Sequence, residues 1–166
     1  DLINDLAIIK SDMTPTAIFP ISDANPKLLQ EIYVAGYPFG SAMSTTVKVT
    51  KGIVSSLSGV GNNFSQMQID ASLQPGNSGG PIVDKRGNVV GVAVAKADAE
   101  YFLEKAGVLP ENINFGIKSN VLKNFLEANK IKSKNVSLEK ISNEGLGEKI
   151  SEGTVFLSCW MDRATI

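Results

Sequence analysis

Three glycines and two prolines fall within the eight residues Gln74-Pro75-Gly76-Asn77-Ser78-Gly79-Gly80-Pro81. No other stretch limits the backbone of this chain so tightly. Glycine permits positive φ, and proline fixes its own φ, so the octet reads as a sharp, rigid loop. Apolar, strand-like residues flank it, Met67-Gln68-Ile69 before and Ile82-Val83 after. Such a loop holds Ser78 away from the backbone. Without a Cβ at Gly76 or Gly79, a carbonyl can approach the main chain closely. The N–H groups of Gly76 and Ser78, with Asn77 between them, then form a candidate oxyanion hole. A presented hydroxyl beside fixed donors is what acyl transfer by a serine requires. The plain alternative is a glycine-rich turn without chemistry, and a bare Gly-x-Ser-Gly does not separate the two.

Composition narrows the remaining classes. The 166 residues suffice for one domain of ordinary size. Sixteen Lys and Arg against seventeen Asp and Glu leave a net charge of −1, which gives no basis for a nucleic-acid partner. The longest apolar run, near residues 89–95, is far too short to span a bilayer. One cysteine, Cys159, excludes an internal disulfide framework and reads as a small buried hydrophobe. No residue pattern calls for a metal or a cofactor. The chain contains no histidine, so a Ser–His–Asp triad cannot be completed from its own residues. The opening Asp1-Leu2-Ile3 reads as the interior of a longer protein.

Along the chain, β-type signals dominate. Asn4–Lys10 reads as an acidic residue followed by a short apolar strand. Residues 11–30, with Pro15, Pro20 and Pro26, read as a surface linker that Leu28-Leu29 anchors. Glu31–Tyr37 is a strand ended by Pro38 and Gly40. Thr45–Ser58 reads as two strands broken at Lys51-Gly52, and Gln66–Asp70 as another. Asp84–Asn88 is a hairpin turn with Gly87 in the left-handed position, joining 81–83 to 89–95. A helix is expected over Asp98–Ala106. A strand follows at Asn112–Ile117, then a helix capped by Ser119-Asn120 with Val121, Leu122, Phe125 and Leu126 on one face. Residues 130–152 read as a linker with a marginal helix, and Thr154–Trp160 as a strand-like apolar run, either opening a further module or packing on the barrel.

Gly-Asn-Ser-Gly-Gly-Pro at 76–81 resembles the nucleophile loop of trypsin-like serine proteases, in the version of the HtrA (high-temperature-requirement) branch. Further phrases are similar to that branch: Asp5-Leu6-Ala7-Ile8-Ile9-Lys10, Val34-Ala35-Gly36-Tyr37-Pro38-Phe39-Gly40, Gly52-Ile53-Val54-Ser55, and Phe115-Gly116-Ile117 before Ser119-Asn120. The resemblance thus runs over residues 5 to 128. It implies an all-β fold, the second six-stranded barrel of a trypsin-like double β-barrel with a closing helix. By that reading residues 1–10 are the last strand of the first barrel, 11–30 the inter-barrel linker, 31–130 the second barrel, and 131–166 a tail of unassigned role. No opening of a PDZ domain is visible in that tail.

The resemblance also implies roles. Ser78 is the nucleophile and Asp5 the triad aspartate, with Asp1 a weaker competitor. The histidine lies upstream, in a first barrel outside this chain. Ser72 and Leu73 line the pocket for the residue before the scissile bond, and their neutrality points to an uncharged aliphatic side chain. Val94 and Ala95 pair with the substrate backbone as an added strand. The 98–110 segment, longer than in bacterial relatives, borders the specificity pocket. Asn77 stands where trypsin-type enzymes carry the aspartate that binds a new N-terminus, so control by loop ordering or homo-oligomerisation is implied instead. Expected partners are a polypeptide substrate and the upstream barrel, and the expected location is the cell envelope, periplasm or exterior. The competing class is an inactive peptide-binding or chaperone-like pseudo-protease. An α/β-hydrolase esterase requires a helix after its serine elbow; here a strand and hairpin follow.

Overall fold

In a computed structural model that describes residues 1–40, 44–96, 104, 107 and 112–158, six antiparallel strands form a closed barrel. They are β1 (Glu31–Gly36), β2 (Lys48–Ser56), β3 (Gln66–Ile69), β4 (Pro81–Val83), β5 (Val89–Lys96) and β6 (Asn114–Lys118). Around the barrel they run β1-β2-β3-β6-β5-β4, with β4 returning to β1 through Tyr33↔Val83 and Val34↔Ile82. Alternation along each strand sorts the side chains, because successive Cβ atoms point to opposite faces. Ile32 and Val34 of β1, Val54, Met67, Ile69, Ile82 and Val90 fill the interior. Ala35, Val83 and Val89 point outward into a second apolar cluster.

The expected strands of the barrel form, with one difference. The sequence reading broke the second strand at Lys51-Gly52, yet β2 runs unbroken through both. A Cβ on Gly52 would collide with the Asp70 carboxylate and lie 2.8 Å from the Ala71 Cα. The Asp70 carboxylate accepts from the Ile53 N–H at 2.6 Å. Gly52 is therefore where the chain after β3 presses against β2, not where β2 stops. Gly87 adopts φ +70° in the β4–β5 turn, as a hairpin requires.

Residues 4–10 do not form the expected strand. Residues 2–5 turn, and Ile8 and Ile9 are exposed. A strand persists only where a neighbour takes up its N–H and C=O groups, and the barrel strands pair with one another and not with residues 4–10. The 11–30 segment is tied down by the Ile21 side chain and by the main chain of Leu29, whose N–H donates to the Val54 carbonyl at 2.9 Å. Ile21 is buried and makes a parallel bridge to Val89, with Val89 N–H donating to the Pro20 carbonyl at 2.7 Å. Leu28 and Leu29 are exposed.

Two helices follow the barrel. The first, α1 (Ser119–Ala128), starts at Ser119 itself, with Lys118 in the cap position and no side-chain cap bond. Ser119 and Asn120 thus lie inside the helix instead of capping it, and Leu122 and Leu126 pack on the outer cluster. The second, α2 (Asn143–Gly153), is a full helix within the stretch that reads as a linker with a marginal helix. Ser142 caps it by accepting from the Gly145 N–H at 3.1 Å. Its Leu146 and Ile150, one turn apart, are buried against Ile21, Ala35, Val83 and Val89. The buried Asn88 holds the approach to this helix: its amide donates to the Ser137 carbonyl at 2.9 Å and accepts from the Ser137 N–H at 2.8 Å. Ile150→Ala should destabilise the protein by about 2–4 kcal/mol in denaturant unfolding; an unchanged midpoint would mean that α2 is not docked. The expected helix over 98–106 lies outside the described residues, apart from Glu104.

A charge cluster ties the start of β1 to the middle of β2 and to the β4–β5 turn. Glu31 pairs with Lys51 at 2.9 Å and Lys85 at 3.2 Å, and accepts from the Tyr33 hydroxyl at 2.8 Å. Lys51, then Tyr33, lower the Glu31 carboxyl from its ordinary 4.5 to about 2. A depressed folded pKa gives stability that is complete above the unfolded value and disappears as pH falls through the folded one. Between pH 5 and pH 2, wild type should therefore lose more stability than Glu31→Gln, as read by melting temperature at low salt. Parallel pH profiles would contradict this.

Candidate active site

The loop between β3 and β4 is held from both sides. On one side, Gly79 N–H donates to the Ala93 carbonyl at 2.7 Å, and Ala93 N–H to the Gly80 carbonyl at 2.9 Å. On the other, Tyr37 N–H reaches the Gly76 carbonyl at 3.2 Å and Phe39 N–H the Pro75 carbonyl at 2.8 Å. Within the loop, Asn77 N–H donates to the Gln74 carbonyl at 3.0 Å and Gly80 N–H to the Asn77 carbonyl at 2.9 Å. Gly76 and Gly79 adopt φ of +102° and +83°, conformations that glycine reaches without strain.

Asn77 is 3% exposed, so its side chain points into the protein, while Ser78 is exposed. The Ser78 hydroxyl donates to the Val94 carbonyl at 2.9 Å. Of the three N–H groups expected in the oxyanion hole, that of Asn77 is taken up by Gln74. Those of Gly76 and Ser78 donate to no group among the described residues. A hydroxyl therefore sits in a segment whose own and preceding-but-one amides are left without acceptors.

Val94 lies at an irregularity in β5, between the pairs Ala93↔Gly116 and Ala95↔Phe115. On the opposite edge, β4 pairs with β5 only from Val89 to Val92. Among the described residues no strand pairs with that edge beyond Ala93. Val94 and Ala95 thus begin an open strand edge beside Ser78.

The other expected site residues are placed as follows. Ser72 is exposed, and its carbonyl accepts from the Thr50 hydroxyl at 3.0 Å. Leu73 is 4% exposed and belongs to the barrel core. Asp5 is exposed in the N-terminal turn at φ +51°. Among the described residues it makes no hydrogen bond or ion pair. Asp1 instead accepts from the Ile3 and Asn4 N–H groups and from the Asn4 amide. No hydrogen bond or ion pair among the described residues links Asp5 to the Ser78 loop.

Two features of the site escape a reading of the sequence. One is close packing behind the loop: a Cβ on Gly36 would lie 2.8 Å from the Asn77 Cα, and one on Gly80 would collide with the Ala35 carbonyl. The other is the segment after α2. Thr154–Ser158 is not the strand expected there. The Tyr37 hydroxyl donates to the Thr154 carbonyl at 2.9 Å, and the Phe156 ring meets Tyr37 edge-on at 5.6 Å. This segment faces the Ser78 loop across a cavity of about 340 Å³. Only the apolar composition of 154–157 hinted that it would pack on anything.

Comparison with known proteins agrees with this architecture. The family model described as a trypsin-like peptidase domain matches residues 1–92. Protein y4bJ of Sinorhizobium fredii is 34% identical over 160 residues, covering 96% of this chain and 25% of that protein. An HtrA-like serine protease of Staphylococcus aureus is 32% identical over 145 residues, covering 79% of this chain and 18% of its own length. The crystal structure of a serine endoprotease from Yersinia pestis superposes with a TM-score of 0.51 at 28% identity, over 66% of this chain and 34% of that one. The chain therefore covers 18% to 34% of the length of these relatives.

Proposed function

The chain belongs to the trypsin-like peptidase domain family, in its HtrA-like branch, and from that membership we propose that it is the nucleophile-bearing barrel of a serine endopeptidase acting on polypeptides. One observation carries the proposal: the exposed Ser78 hydroxyl lies beside two amides, Gly76 and Ser78, that no group among the described residues occupies. Ser78 Oγ attacks the scissile carbonyl carbon and gives its proton to an imidazole. The resulting oxyanion takes the two free amides. The imidazolium returns the proton to the leaving nitrogen as the C–N bond breaks, and water then releases the acyl group by the same steps. At rest the hydroxyl donates to Val94; attack requires that bond to pass to the imidazole.

The chain has no histidine, so the imidazole comes from an upstream first barrel. Asp5 is assigned to orient it. With that barrel present, residues 4–10 gain a sheet edge to pair with. Residues before the scissile bond add to the open edge at Val94 and Ala95. Ser72, exposed, and Leu73, in the core, are both neutral and border the pocket for an aliphatic side chain. Its place of work, by family, is the cell envelope or beyond.

The test is labelling of the full-length protein by a fluorophosphonate, with Ser78→Ala as control. Labelling that Ser78→Ala abolishes and Asp5→Asn slows supports the enzyme. The missing histidine favours one rival, a pseudo-protease that only binds peptides. Peptide binding by a folded full-length protein that never takes the label would establish it.

A further inference from the structure

The segment after α2 reaches the mouth of the site, and its contacts there are specific. Helix α2 is fixed on the barrel through Leu146 and Ile150, so it delivers Gly153 and Thr154 to a defined place. Gly153 packs where a Cβ would meet the Phe19 ring at 2.5 Å. The Tyr37 hydroxyl holds the Thr154 carbonyl, and Phe156 packs on Tyr37 and beside Gly40. Val155, Phe156 and Leu157 nonetheless stay half-exposed, at 49%, 50% and 64%. Exposed aromatic and aliphatic side chains held in place by a hydrogen bond and a ring contact are a surface prepared for a partner.

The cavity between this segment and the loop has Ser78 and Gly76 on one wall and Phe156 and Leu157 on the other. Its roughly 340 Å³ of free space means that the segment stands off from the serine instead of covering it, as a plug would. That volume lies at the lower end of the range for ligand pockets and suits one or two side chains. The open β5 edge begins at Val94, to which Ser78 is bonded. Neither Val94 nor Ala95 lines the cavity, which is bounded instead by Gly36 and Tyr37 at the end of β1. If substrate residues before the scissile bond follow β5, those after it enter the cavity.

We propose that Phe156 and Leu157, braced by Tyr37, form an apolar subsite for the side chain that follows the scissile bond, so that the site selects peptides with a large hydrophobic residue there. This rests on the assignment of Ser78 as nucleophile and of β5 as the acyl-side strand.

The test uses the full-length protein and paired peptides that differ only in having Leu or Asp immediately after the scissile bond. The ratio of kcat/KM for Leu over Asp should fall about tenfold in Phe156→Ala, the size of a lost apolar pocket contact. Phe156→Leu should retain most of the ratio. An unchanged ratio in Phe156→Ala overturns the proposal, and so does an equal loss for both peptides. A second arm needs no turnover: binding of the same pair to Ser78→Ala, by fluorescence anisotropy. Leu preference that Phe156→Ala removes supports the subsite even if the protein proves catalytically inert. Equal binding of both peptides overturns it whatever the fate of the serine.

Discussion

Ser78→Ala in the full-length protein should lower kcat/KM for peptide cleavage by about three to six orders of magnitude, with almost no change in stability. The two halves of that expectation come from the same geometry. Ser78 is exposed, and its hydroxyl makes one hydrogen bond, to the Val94 carbonyl. Removing it costs the fold about 1 kcal/mol at most, because the freed carbonyl can turn to water. The loop conformation depends on other residues: Gly76, Gly79, and the main-chain bonds to Tyr37, Phe39 and Ala93. Chemistry, by contrast, has no substitute for the lost oxygen. A loss of activity accompanied by a fall in melting temperature of more than a few degrees would point to a structural serine instead.

Gly80→Ala should do the reverse, removing activity by removing the fold of the loop. Its Cβ would collide with the Ala35 carbonyl and lie 2.8 Å from the Asn77 carbonyl oxygen. Both obstacles are backbone, so neither can rotate away. Gly80 also bonds to Asn77 and accepts from Ala93, which ties it to two neighbours that would have to move together. The expected cost is about 3 kcal/mol or more in denaturant unfolding. Gly79→Ala is the instructive contrast. Nothing lies within 4 Å of its added Cβ, but its φ is +83°. That costs only backbone strain, about 1–2 kcal/mol. If Gly79→Ala proved the more damaging of the pair, conformation rather than space would be the limiting constraint on this loop.

How far the sequence alone reached follows from which forces each feature depends on. The Ser78 loop and the barrel strands are locally encoded. Glycine and proline density marks the one, and β-branched alternation such as Ile32/Val34 marks the others. Gly52 misled because a glycine inside a strand pattern reads as a break, whereas here it admits the Asp70 carboxylate. Helix α2 reads as only marginal in the sequence, because Gly145, Gly147 and Gly153 weaken any helical signal. Only the buried pair Leu146 and Ile150 reveals why it forms. The contact between Tyr37 and Thr154 joins residues 117 apart in sequence, and no local pattern announces it. Residues 4–10 fail as a strand for an equally non-local reason, since the barrel closes without them.

The account places a reactive oxygen and two unoccupied amides in one loop. The most direct measurement is a crystal structure of the full-length protein after reaction with a peptidyl phosphonate. The account predicts phosphorus bonded to Ser78 Oγ, with the phosphonyl oxygen within about 2.7–3.1 Å of both the Gly76 and Ser78 amide nitrogens. A phosphonate attached elsewhere, or attached to Ser78 with its oxygen turned to solvent away from those amides, would contradict it.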